Sequence, residues 1–175
     1  MKINMKKGLI ILLLGVGFMV IGCENKTKEN AEENYKQYEI HFYDADFKHT
    51  EELELYYDND GNLKNIAAYY VYDASKNRNC QYMQKPKKDY KDAKSECTEN
   101  SDGSVKYYSY LTDESIKEGA LEDSAFMSVK SAYEEFDTEE KIKSYIDSLI
   151  EELKNSNTKS DDRNYIISDG KKVEW

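Results

Sequence analysis

The stretch "EELELYYDNDGNLKNIAAYYVYD" (51–73) decides the fold. Leu53, Leu55 and Tyr57 recur at every second position, the period of a strand with one buried face. "NDGN" (59–62) then supplies an Asp-Gly step, the favoured chemistry of a tight hairpin turn. Beyond it, Ile66, Ala68, Tyr70 and Tyr72 share one face, and Ala67, Tyr69 and Val71 share the other. Both faces are mostly apolar, which predicts a central strand.

Further strand signals lie on either side of this hairpin. "YEIHFY" (38–43) alternates, with Ile40 and Phe42 on one side and His41 and Tyr43 on the other. Asp102-Gly103 precedes a strand at "SVKYYSYL" (104–111), and Asp169-Gly170 joins "NYII" to "KKVEW" in a short closing hairpin. These segments predict an antiparallel sheet of about five to seven strands. Two helices are predicted. One covers about 120–136, with Leu121, Ala125, Phe126, Val129, Ala132, Tyr133 and Phe136 at helical spacing. The other covers 138–154, opened by a capping box of Asp137 and Glu140, with a stripe of Ile142, Tyr145, Ile146, Leu149, Ile150 and Leu153. Strands followed by helices indicate an α+β fold with both helices on one face.

The N-terminal segment reads as an address. Lys2, Lys6 and Lys7 precede fifteen uncharged residues, Gly8 to Gly22. That run is short for a membrane span, which needs about 20 apolar residues, and suits the h-region of an export signal. It closes in Val20-Ile21-Gly22-Cys23. This resembles the lipobox of bacterial prolipoproteins. The resemblance implies a diacylglyceryl thioether on Cys23, cleavage before it, and a mature chain anchored in the cell membrane on the extracytoplasmic side. Two acyl chains suffice for stable anchoring. Residues 1–22 are then a signal peptide, and 23–36 the lipidated cysteine with a flexible tether. Residues 37–175 are a single α+β domain. The tether, "ENKTKENAEENYK" (24–36), spans roughly 20 Å on average as a coil.

Removing residues 1–22 takes away three lysines and no acids. It leaves 22 basic residues against 35 acidic, a net charge of −13. Such a balance argues against nucleic acid as a partner, because binding it rests on neutralising phosphates. Tyrosine dominates the aromatics, sixteen against five Phe and one Trp. Four tyrosines, Tyr56, Tyr69, Tyr108 and Tyr110, are expected to point outward. They form an aromatic platform for a protein or glycan if their strands are neighbours.

Cys80 and Cys97 are the two cysteines left after lipidation, and outside the cytoplasm they are expected to form a disulfide. Around them Lys76, Arg78, Lys85, Lys87, Lys88, Lys91 and Lys94 place seven positive charges within nineteen residues. The exposed Lys85, Lys87 and Lys88 are a second candidate contact, for an anionic wall polymer, a lipid headgroup or an acidic protein. "HFYDADFKH" holds both histidines, and His41, Asp44, Asp46 and His49 are weak candidate metal ligands. Gathering all four requires a bend at Ala45, since His41 and Asp44 fall on opposite faces of a straight strand.

No G-x-S-x-G, H-E-x-x-H or Gly-rich phosphate loop occurs, so neither catalysis nor a cofactor is expected. The expectation is a membrane-anchored surface lipoprotein with a non-catalytic binding or adaptor domain. Its partner is an envelope protein, a glycan or a wall polymer. Two alternatives are an inhibitor or immunity lipoprotein that uses its acidic surface against a cationic envelope-attacking enzyme, and a metal-binding lipoprotein.

Overall fold

The computed structural model describes residues 35–45, 47–155 and 163–175. The signal segment, Cys23, most of the expected tether, and Asp46 lie outside the described residues.

The fold is α+β. Seven antiparallel strands are β1 (Lys36–Asp44), β2 (His49–Tyr57), β3 (Leu63–Tyr72), β4 (Lys94–Glu99), β5 (Val105–Thr112), β6 (Tyr165–Ser168) and β7 (Lys171–Val173). They form one sheet in the order β4-β5-β3-β2-β1-β6-β7. Among the described residues three α-helices, α1 (Asp113–Lys117), α2 (Met127–Glu135) and α3 (Glu139–Asn155), follow β5. The edge strands carry Lys94, Glu96, Glu99, Lys171 and Lys172, charges that discourage pairing with another chain.

The 51–73 hairpin sits at the centre. Asp58 and Asn62 close its turn, with the Gly61 amide donating to the Asp58 carbonyl at 3.1 Å. Gly61 adopts φ of +81°, a conformation a residue with a Cβ rarely takes. β3 is interior, between β2 and β5.

Period two sorts the side chains onto two unlike faces. One is covered by the helices. There Tyr38, Ile40, Leu53, Leu55, Tyr57, Ile66, Ala68 and Leu111 meet Phe126, Val129, Ile142 and Ile146 in a single buried cluster. Two tyrosines lie wholly inside it because their hydroxyls have partners. Tyr57 donates to the Phe136 carbonyl at 2.6 Å, and Tyr38 donates to Glu139 Oε1 at 2.6 Å. The other face carries no helix among the described residues.

The structure corrects several sequence boundaries. The expected helix at 120–136 is two single 3-10 turns, Ala120–Glu122 and Ser124–Phe126, before α2. Gly119, with φ of +90°, starts the first turn. Asp123 ends it in an extended conformation and uses its carboxylate on the Ala125 amide. α3 begins at Glu139, later than an Asp137 cap implies, and Asp137 pairs with Lys141 at 2.6 Å. Two elements carried no clear signal. β4 starts at Lys94, the last residue of the basic stretch, and is mostly exposed, and α1 starts from a capping box of Thr112 and Ser115. β1 begins at Lys36, inside the expected tether, where Lys36 pairs with Tyr57 of β2 and its Nζ reaches Glu139 at 2.8 Å.

Cys80 and Cys97 are disulfide-bonded, with Cα atoms 5.6 Å apart. The bridge pins the 3-10 turn Cys80–Tyr82 to edge strand β4. Closing a loop of this size stabilises the fold by about 3 kcal/mol in the chain-entropy account.

Candidate binding face on the open side of the sheet

The strand register gathers residues far apart in sequence. His41 on β1 is opposite Tyr165 on β6 and Glu52 on β2. Glu52 is opposite Tyr69 on β3, and Tyr69 is opposite Tyr108 on β5. One straight row, Tyr165-His41-Glu52-Tyr69-Tyr108, therefore crosses five strands. At about 4.8 Å per strand it is roughly 19 Å long. The adjacent row runs Glu39, Glu54, Ala67 and Tyr110. Tyr56 on β2 stands beside it, opposite Gln37.

All four outward tyrosines expected from the sequence thus share the open face. Tyr69 and Tyr108 lie with ring centroids 4.6 Å apart, and Lys106 Nζ sits 4.7 Å from the Tyr69 centroid. Tyr56 donates to Glu54 Oε2 at 3.1 Å. Ala67, opposite Glu54 and Tyr110, is only 1% exposed, covered by its larger neighbours. Burial pushes the phenols of Tyr56, Tyr69, Tyr108 and Tyr110 up, aided by the Glu54 carboxylate, so they stay neutral hydrogen-bonding groups near pH 7.

Next to the tyrosines is a sunken acidic group that sequence reading missed. Glu39, His41 and Glu52 are 8%, 9% and 5% exposed, unusual burial on a face without a helical cover. His41 Nδ1 is 3.0 Å from Glu52 Oε2, within hydrogen-bonding distance. The Tyr165 hydroxyl donates to Glu39 Oε1, and the Tyr165 ring lies 4.4 Å from the His41 ring. Burial raises the Glu52 carboxyl, as do the charges of Glu39 and Glu54, against the weaker opposing influence of Lys106. Burial likewise lifts Glu39 and lowers His41. The signal for this cluster was the pair of alternating runs "YEIH" and "EELEL", but only the register shows that their outward residues meet.

The histidine corner does not assemble as the sequence suggested. β1 runs straight through Asp44, so His41 faces the open side, while His49 stacks on Tyr72 on the helix side and pairs with Glu51 at 2.5 Å. Asp44 caps its own turn, accepting from the Phe47 amide at 2.8 Å. His41, Asp44 and His49 therefore surround no common point, and Asp46 lies outside the described residues.

The basic loop is a separate feature on the helix side. Lys85, Lys87 and Lys88 are exposed. The loop is tied down by acids of 114–123. The Lys87 amide donates to buried Asp123 at 2.7 Å, Lys88 Nζ donates to the Glu118 carbonyl at 3.1 Å, and Lys91 pairs with Glu114. Of these contacts, Lys91 with Glu114 is the ion pair, and the others hold the loop through its backbone amide or a backbone carbonyl. Nearby, a cleft of about 280 Å³ opens between the sheet and the start of α2, lined by Tyr70, Tyr72, Arg78, Met83, Tyr107 and Met127. It is small for a ligand pocket, and Arg78 already rests on Tyr72, 5.1 Å from its centroid.

No described helix is long and apolar enough to cross a membrane. No known protein family, curated protein or solved structure matches this chain, so its functional reading rests on the geometry of the open face.

Proposed function

We propose that this protein is a non-catalytic binding module, held outside the cell membrane by lipidated Cys23, whose open sheet face receives a protein partner bearing basic side chains. One observation carries the reading. Tyr56, Tyr69, Tyr108 and Tyr110 share one uncovered face with Glu39, Glu52 and Glu54. Flat rings with polar tips give contact area at low entropic cost, and the half-buried Glu54 carboxylate beside them favours Lys or Arg on the partner. The adaptor and inhibitor readings converge on this face and differ only in what the partner does. The basic loop is the weaker contact, because Lys88 and Lys91 already engage the Glu118 carbonyl and the Glu114 carboxylate.

The test uses the full chain in its own membrane. Chemical crosslinking captures a partner from cells carrying the wild type, and Cys23→Ala releases the chain from the membrane fraction and removes the adduct. Capture weakens as salt rises, since the Debye length shrinks from about 10 Å at 0.1 M to about 3 Å at 1 M. Membrane retention of Cys23→Ala contradicts the anchor. A salt-independent adduct contradicts the charged contact.

A further inference from the structure

The geometry points to a divalent-cation site formed by Glu39, His41 and Glu52 on the open face, of the kind that takes Zn2+ or a similar first-row ion. One donor atom from each residue lies within 4.8 Å of the other two. Bonds of about 2.0–2.2 Å place the ligands of one Zn2+ roughly 3–3.5 Å apart. Small rotations of the two glutamate side chains close the set.

The placement is fixed by backbone. Glu39 and His41 are two residues apart on β1 and so share a face. Glu52 is the direct cross-strand partner of His41. All three stand on interior strands, where the ladder holds their Cα positions. Imidazole with two carboxylates is a ligand set for a borderline divalent ion, and three protein ligands leave a position open for water or a partner's donor group.

Burial supplies the second argument. Two carboxylates that are more than nine-tenths buried beside a third, Glu54, are costly to hold ionised. A divalent ion would neutralise the charge that burial opposes. Glu39 has an outer partner suited to this role, the Tyr165 hydroxyl, which orients a ligand carboxylate as an outer-shell donor does.

The site is independent of the partner-binding reading, because cation binding is measured with no partner present. The experiment is equilibrium dialysis of the detergent-solubilised full chain against ZnCl2, beside Glu52→Gln and His49→Asn. Wild type and His49→Asn should each bind one Zn2+ per chain, and Glu52→Gln should bind at least tenfold more weakly. Glu52→Gln keeps the size of the side chain and replaces a buried ionisable carboxyl with a neutral amide, so in EDTA it should melt no lower than wild type. A second readout needs no Glu52 variant to fold. The chain has two histidines, and Zn2+ should shift the ring NMR signals of one, the signal that persists in His49→Asn. Absence of stoichiometric binding, undiminished binding by Glu52→Gln, or a shift confined to His49 overturns the site.

Discussion

Truncating Phe126 to alanine should cost about 3–5 kcal/mol of unfolding free energy, a large part of the 5–15 kcal/mol a domain of this kind holds. Phe126 is fully buried where the second 3-10 turn runs into α2. Its ring meets Tyr90 edge-on, centroids 5.8 Å apart, so it also holds the disulfide loop against the helix layer. The cavity cannot collapse easily, because Val129 and Ala132 are fixed by the same short helix. Tyr69→Ser is the informative contrast. Tyr69 loses one tilted ring contact with Tyr108 and part of its burial, and the expected cost is about 1–2 kcal/mol. Urea unfolding of the two variants measures both. Equal losses would make the open face a second core and remove the reason to read it as a binding surface.

Glu139→Gln should cost about 2 kcal/mol at neutral pH and almost nothing near pH 2. Burial of Glu139 opposes its ionisation, but hydrogen bonds from Lys143, Lys36 and Tyr38 outweigh that, and the carboxyl falls from an ordinary 4.5 to about 2. A group depressed on folding adds stability above its unfolded pKa, and that contribution is lost as pH falls through the folded pKa. The window is therefore pH 4.5 down to about 2. The full shift corresponds to about 3 kcal/mol; the partial solvent exposure of Lys143 and Lys36 screens it toward the smaller figure. Urea midpoints of wild type and variant at pH 6 and pH 2.5 give the answer. A gap that does not narrow in acid means the carboxylate is not what ties β1 to α3.

The strands and the stripe of α3 were legible because their periods are local. Leu53, Leu55 and Tyr57 had to share a face, and so did Ile142 and Ile146. The break at Asp123 was hidden because the apolar spacing continues across it. What ends the helix is a carboxylate engaged with the Lys87 amide, a contact between segments 36 residues apart. β4 was hidden for the opposite reason: an edge strand need not be apolar, and "KSECTE" has one inward cysteine and mostly exposed charge.

The candidate face was half legible. Outwardness of Tyr56, Tyr69, Tyr108 and Tyr110 follows from alternation, but their adjacency depends on β5 returning beside β3. The Glu39-His41-Glu52 group needed the register of β1 on β2, and its Tyr165 neighbour the register of β1 on β6. Composition pointed instead to the two histidines as a pair. The register separates them, because His41 is opposite Glu52, and His49 lies three residues from Glu52 along β2, an odd offset that puts it on the other face.

The central claim is that the open face meets the partner. It is tested most directly by placing a photo-crosslinking residue at Tyr108 in one full-length chain and at Glu134, on the exposed surface of α2, in another. Each is irradiated in intact cells with Cys23 in place. The account predicts one abundant adduct from position 108 and none from position 134. An adduct of the same size from 134 alone would move the contact to the helix side and contradict it.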